Sequence, residues 1–312
     1  MQRTPYQLSG RIGPLYPVCL FFALLAAGAG GYLHGFATVH NPVFGLGSLV
    51  LALLLGYGVG WATALAGWWG RCRNRMIPFV MGGFLATLAL YISWATALLI
   101  SHNGLNTVSP LPVAVLIQQP EYWFVMMLDV AQNGWPSHFH HRPQSAYLWL
   151  FWLVEWVAVV LPAGMRAVGC RRVFCESCRV WLPEPRRFYL AAAKEDEVDL
   201  EALAEPRWSY LTRLHPAINR ALQSHVLLTL FRCPRCRERG AFGVHLGLAC
   251  NHPKSGVEID YRPMTRLTTL QAEDLGPMTQ LEDQHSPEQT GGKVEPLSWL
   301  GDRRLGIHSL FH

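Results

Sequence analysis

Four stretches of this chain, Tyr16–Val39, Val43–Gly70, Met76–Ile100 and Ser145–Met165, are apolar almost throughout. A helix rises about 1.5 Å per residue, so about 20 such residues cross the roughly 30 Å of hydrocarbon in a bilayer. Charge follows the same division. Residues 1–165 carry six Lys/Arg and three Asp/Glu, whereas residues 166–312 carry twenty and eighteen. Nine charges cannot cover a water-soluble body of that size, and hydrocarbon asks for none. The expected fold class is a membrane α-helical bundle of four transmembrane helices at 1–165, with an extracytoplasmic loop at 101–144. A small cytoplasmic α/β domain at 166–272 and a mostly disordered tail at 273–312 are expected to follow.

Orientation follows from the Lys/Arg bias of the short flanks. Arg3 and Arg11 precede the first span, Arg71, Arg73 and Arg75 join the second to the third, and Arg166, Arg171 and Arg172 follow the fourth. The opposite side holds only Arg142, in the loop. Both termini are therefore expected in the cytoplasm of a multi-pass protein of the plasma membrane. Ala27-Gly28-Ala29 has the small residues of a signal-peptidase site, but the apolar run continues well beyond it, which argues against cleavage. The second half nets +2, too balanced for the clustered basic face that nucleic-acid binding needs.

Several residues stand out within the spans. Gly28, Gly30, Gly31 and Gly35 in the first, and Gly45, Gly47, Gly56, Gly58, Gly60 and Gly67 in the second, let helix backbones approach closely. Packing within one bundle is the expected use, with a homo-oligomer seam or a flexible gate as alternatives. Glu155 is the acidic residue deep in a span, where a carboxylate costs a few kcal/mol unless it is paired, protonated or facing water. It is either a functional acid or a structural one bonded to Trp94, Tyr91 or Ser93.

The outer loop is long for a bundle connection. Short helices are expected at Val113–Gln118 and Glu121–Gln132, each begun at a proline. The second carries Tyr122, Trp123, Phe124, Met126 and Met127, a composition suited to the headgroup region of a bilayer. His138, His140 and His141 form a weak candidate outer metal site, since neutral imidazole is a ligand; without a neighbouring carboxylate the favoured reading is solvated histidines.

The strongest motifs lie in the second half. Cys175-Glu176-Ser177-Cys178 and Cys233-Pro234-Arg235-Cys236 each fold two sulfurs toward one ion, and together supply a tetrahedral thiolate set suited to one structural Zn²⁺. Each follows an apolar lead-in, as a knuckle at a strand end would. Cys-Pro-x-Cys-x-x-x-Gly, ending at Gly240, resembles the knuckle of zinc-ribbon and rubredoxin-like modules, which implies a structural zinc and no particular activity. The 54 residues between the knuckles exceed the roughly 15–20 of a compact ribbon, so an insertion is expected. Helices at Glu195–Ala204 and Trp208–Gln223, then strands at His225–Arg232, Ala241–Leu248 and Val257–Arg262, fill it and complete the domain. Cys170 and Cys250 read as small buried residues that could substitute in the site. A thioredoxin-like redox pair needs one Cys-x-x-Cys at a helix start, a poorer match to two pairs with strand lead-ins.

The whole chain resembles bacterial four-span membrane proteins of uncharacterised function, through Arg73-Asn74, Tyr91-x-x-Trp94, Gly134-Trp135 and Trp152-x-x-Glu155. No phosphate-binding loop, dinucleotide fingerprint, His-Glu-x-x-His helix or nucleophile elbow occurs in the sequence. The expected role is a membrane-anchored scaffold whose zinc domain meets a cytoplasmic protein partner. A small transporter or channel using Glu155, and a membrane enzyme, are the alternatives.

Overall fold

The computed structural model describes residues 5–41, 46–103, 110–133, 146–168, 173–183, 185–191, 208–217, 225–236, 238–252 and 256–284. They fall into two compact units, Gln7–Phe174 and Met1–Tyr6 with Cys175–His312.

The first unit is helical. Its long helices are α1 (Tyr16–Val39), α2 (Leu46–Trp69), α3 (Met76–Asn103) and α6 (Ala146–Ala167), joined between α3 and α6 by the shorter α4 (Pro110–Ile117) and α5 (Pro120–Asn133). Four helices are thus long and apolar enough to cross a membrane. Both short helices begin at prolines, whose fixed φ suits a first turn and whose missing N–H goes unneeded there. The outward faces are themselves apolar: Phe22, Leu33, Leu54 and Phe84 are each about 60% exposed. Water does not tolerate so broad an apolar surface, whereas lipid matches it.

With apolar residues both inside and outside, close packing has to hold the helices together. The interior is built from small side chains, with Ala27, Ala52, Ala86 and Ala89 fully buried. Gly31 and Gly35 on α1 lie against the carbonyl oxygens of Ala89 and Ser93 on α3. Gly56 and Gly60 on α2 lie against those of Val159 and Ala163 on α6. A Cβ at any of the four would collide with backbone, so each pair is a small-xxx-small contact. Gly58, between the second pair, faces open space.

The second unit is built on a six-stranded antiparallel sheet. It contains β3 (Arg186–Ala191), β4 (His215–Pro216), β5 (His225–Arg232), β6 (Gly240–His252) and β7 (Gly256–Pro263) in the order β4-β3-β5-β6-β7, with β8 (Thr268–Thr269) also pairing with β6. A separate hairpin pairs β1 (Phe174–Cys175) with β2 (Val180–Trp181). Alternation in β5 buries Val226, Leu228 and Leu230 on one face. That face joins Phe242, Val244 and the helices α7 (Trp208–Leu211) and α8 (Leu275–Gln284) in one core. Ahead of α1, Pro5 pairs with Thr268 and the Tyr6 N–H donates to the Leu267 carbonyl at 2.7 Å, so these two residues belong to this sheet.

Two expectations are corrected. The helix expected at Trp208–Gln223 stops at Leu211, and His215–Pro216 forms an edge strand against Leu190 and Ala191. A proline reads as a helix start by propensity, but an edge strand accommodates its missing N–H as well. The tail expected from 273 begins instead with a 3-10 turn, Ala272–Asp274, and then α8. Met278 and Leu281, three residues apart, are fully buried, and Glu282 bridges Arg186 at 3.1 Å and Arg232 at 2.6 Å. Gly276 and Pro277 disguise this helix in the sequence, although proline is acceptable in a first turn. Glu195–Ala204 and residues 285–312 lie outside the described residues.

The glycine contacts make a direct prediction. Gly31→Leu and Gly56→Leu should each destabilise the bundle by about 1–3 kcal/mol or more through overpacking. Gly58→Leu should be neutral. Thermal unfolding of the three variants in detergent measures this; equal midpoints would show that backbone approach does not hold the helices.

Candidate metal centre and the buried acid of the bundle

The first knuckle is the β1–β2 hairpin. Cys175 ends β1, a turn follows, and Arg179 takes a left-handed φ of 52° that returns the chain into β2. The second forms where β5 passes into β6. There the Cys233 N–H donates to the Arg239 carbonyl at 2.9 Å, closing the turn that carries Cys236. Gly240 ends this turn because a Cβ would collide with the Phe231 carbonyl oxygen and crowd Leu270. The glycine of the Cys-Pro-x-Cys-x-x-x-Gly pattern thus has a steric reason.

The two knuckles meet. The sulfurs of Cys175, Cys178, Cys233 and Cys236 all lie within 4.8 Å of one another, close enough to bind one metal ion. Cys175 Sγ and Cys236 Sγ are 3.9 Å apart. A Zn–S distance of about 2.3 Å would give a tetrahedron with edges of about 3.8 Å, so this pair already fits. Cys175 and Cys233 are buried and Cys178 and Cys236 partly exposed, which leaves a rim by which an ion can enter.

The thiols differ in acidity. Burial, reinforced by the neighbouring thiols, pushes Cys175 up to about 12, and burial also raises Cys178. Burial opposes ionisation of Cys236 as well, but hydrogen bonds from the backbone at Glu238 and Arg239 outweigh it and bring that thiol down to about 7. Cys236 therefore offers a thiolate near neutral pH, and Cys175 and Cys178 need a cation to lose their protons. Of the two spare cysteines, Cys170 lies outside the described residues and Cys250 occupies β6 opposite Glu258. The loop residues His138, His140 and His141 also lie outside the described residues.

In the helical unit, Glu155 on α6 is 2% exposed. Its Oε2 accepts a hydrogen bond from Trp94 Nε1 on α3 at 2.9 Å, and its Oε1 has no partner among the described residues. Trp94 is held in turn between the rings of Trp123 and Trp152, each 6.2 Å away. Of the three partners expected for Glu155, Trp94 alone makes the bond. Tyr91 donates its hydroxyl to the Ile117 carbonyl, and Ser93 pairs at 2.8 Å with Nδ1 of His34 on α1. His34 is buried, and its Nε2 has no partner among the described residues. Sequence reasoning passed over it, though a histidine within an otherwise uncharged span is the same kind of signal as Glu155.

Comparison of the chain with protein-family models, curated proteins and solved structures gives no match.

Replacing either Cys175 or Cys233 by Ser should take the purified full chain from one bound metal per chain to none, as read by elemental analysis. Because thiols must lose protons to bind, acidification should release the metal and a return to neutral pH should restore it. Undiminished metal in either variant would show that the four sulfurs are not the ligand set.

Proposed function

We propose that the chain is a membrane-anchored scaffold, with four helices crossing the plasma membrane, both termini in the cytoplasm, and a zinc-organised domain there that engages a protein partner. The observation that carries this reading is the convergence of four cysteine sulfurs from two separate knuckles. An all-thiolate set with no carboxylate or imidazole is the donor chemistry of structural Zn²⁺, and it leaves no position for water or substrate. The metal's role would be to clamp the β1–β2 hairpin, whose strands are two residues long, to the β5–β6 turn.

Sidedness has two supports. Pro5 and Tyr6, ahead of the first long helix, pair with the sheet that follows the fourth, which supports placing both flanks of the bundle on one side, as an even number of spans requires. At the beginning of the bundle, the Arg73 N–H donates to the Arg11 carbonyl at 2.9 Å, which gathers the basic flank of α1 and the Arg71–Arg75 turn at one end. That arginine-rich end is the cytoplasmic one by the positive-inside rule. On the opposite side α5 buries Met126 and Met127 and exposes Tyr122, Phe124 and Val125, as a helix lying in the headgroup layer would. A second reading, a small transporter or channel, draws on the unpartnered oxygen of Glu155.

Reporter fusions after Arg75 and at the C-terminus should read cytoplasmic, and one after Asn106 external. Capture from membranes should recover a stoichiometric partner with the native chain and lose it with the Cys175→Ser, Cys233→Ser double variant, which should still insert. An external C-terminus, or a partner indifferent to the cysteines, would overturn the proposal.

A further inference from the structure

Arg166 lies deeper in the bundle than its place in the last turn of α6 suggests. Gly60 on α2 rests against the Ala163 carbonyl and the Arg166 Cβ, and Gly82 on α3 against the Ala163 carbonyl and the Ala167 Cβ. Gly60 is nine residues short of Trp69, where α2 ends, and Gly82 is six residues beyond Met76, where α3 begins. From the rise of a helix, α6 therefore stops about 9 to 13 Å inside the ends of its two neighbours.

The side chain runs deeper still. A Cβ on a helix tilts toward the N-terminus, and the guanidinium carbon of Arg166 lies 5.3 Å from the centre of the Tyr57 ring, three residues before Gly60. The successive contacts of Gly56 with Val159 and Gly60 with Ala163 make α2 and α6 parallel, both running toward the arginine-rich end. Arg166 thus points away from that end. Trp68 and Trp69 close α2 just ahead of Arg71, where tryptophans favour the headgroup layer.

We infer that Arg166 binds the phosphate of an anionic phospholipid drawn inward beside α2 and α6, an inference that rests on the reading of these helices as membrane spans.

The unmet bonds of the guanidinium call for a phosphate. Its Nε is buried with no partner among the described residues. The Tyr57 face and the negative end of α6 both favour a cation, so the charge is kept. Neither satisfies a planar fork of five N–H donors, which a phosphate meets with two parallel bonds. The described carboxylates of this unit are remote. Glu155 is eleven residues earlier on α6, about 16 Å along the axis. Glu121 and Asp129 are on α5, which packs against Leu148 and Trp152 at the other end of α6.

The surroundings call for a lipid. Tyr57 is 46% exposed, and Leu54 and Trp61, three residues before it and four after it on the same face of α2, are each more than half exposed. Acyl chains can lie along this face, whereas a free anion would have to leave water to reach it. A long basic side chain in a membrane ordinarily escapes by reaching out to the headgroups. Arg166 is turned the other way, so a headgroup has to come to it, through the local thinning that a buried arginine imposes on a bilayer. Basic sites between helices on the cytoplasmic side are where anionic headgroups bind.

Native mass spectrometry tests the site, with the full chain reconstituted in phosphatidylcholine vesicles containing a minor share of phosphatidylglycerol and then recovered in mild detergent. Phosphatidylglycerol should be retained in preference to phosphatidylcholine, and retention should fall about fivefold or more in Arg166→Gln. Arg75→Gln, on the exposed turn, should keep it. Arg166→Lys, which preserves the charge without the fork, should retain an intermediate amount, which separates loss of the site from loss of the fold. Excess inorganic phosphate should not displace the lipid. Equal retention by native and Arg166→Gln chains, or no preference for phosphatidylglycerol, would sink the proposal, and displacement by inorganic phosphate would do so by making this a site for a free anion. Alkaline carbonate extraction of the same vesicles distinguishes the two readings. A chain that stays embedded without lipid preference loses the phosphate site alone, whereas a chain that washes out loses the membrane spans and the site together.

Discussion

Close approach of helix backbones is what the membrane-type unit depends on. Where outward and inward faces are both apolar, burial from water cannot drive one helix onto another, and dispersion across tight contacts takes its place. Gly31 and Gly35 seat α1 on α3, and Gly56 and Gly60 seat α2 on α6. These contacts also set the polar cluster. The Gly35 contact, at the residue next to His34, brings α1 against the Ser93 carbonyl, and the His34 ring then reaches the Ser93 hydroxyl. The α2–α6 contact fixes α6 at Val159, one turn beyond Glu155, with Glu155 against Trp94. Side chains at these glycines would separate the very groups whose chemistry is of interest.

The sheet unit relies on a different balance. Its interior is an ordinary apolar core in which Leu190, Val226, Leu228, Phe242 and Met278 are buried on one face of the sheet. The knuckles lie where strands end, Cys175 closing β1 and Cys233 following β5. A hairpin of two-residue strands is far below the size that folds alone. Four sulfurs gathered within 4.8 Å offer an ion-centred crosslink at this weak point, and the unequal acidities of Cys175, Cys178 and Cys236 suit a site that fills by exchange of protons for metal.

The sequence made some features legible and hid others for physical reasons. The long helices and the two knuckles were readable because length, apolarity and Cys spacing are local signals. So were β5, β6 and β7, whose alternation expresses a half-buried face. The end of the helix at Leu211 was not, because the choice between helix and edge strand at His215–Pro216 is decided by pairing with Leu190 and Ala191, far away in sequence. Helix α8 was concealed by Gly276 and Pro277; its stability comes from Met278 and Leu281 reaching a core assembled elsewhere, and from the Trp208 indole donating to Asp274. Glu155 was conspicuous as a lone acid, yet its choice of Trp94 over Tyr91 or Ser93 depends on helix rotation. His34 went unnoticed because its meaning appears only once α1 lies on α3.

The pairing of Pro5 with Thr268 reaches across nearly the whole chain. Strand β8 has β6 on one side and Pro5 on the other, so the segment ahead of α1 covers what would otherwise be a free sheet edge. Proline suits that outermost place, since it has no N–H with which to recruit another strand. A recombinant fragment beginning after the fourth helix would therefore lack one of its own strands' neighbours. Its β8 edge would be bare and open to self-association, a fault of truncation that could be mistaken for intrinsic stickiness of the domain. During synthesis the same geometry imposes an order: Pro5, made before the four long helices, must wait for β8, made after them, before the sheet is closed.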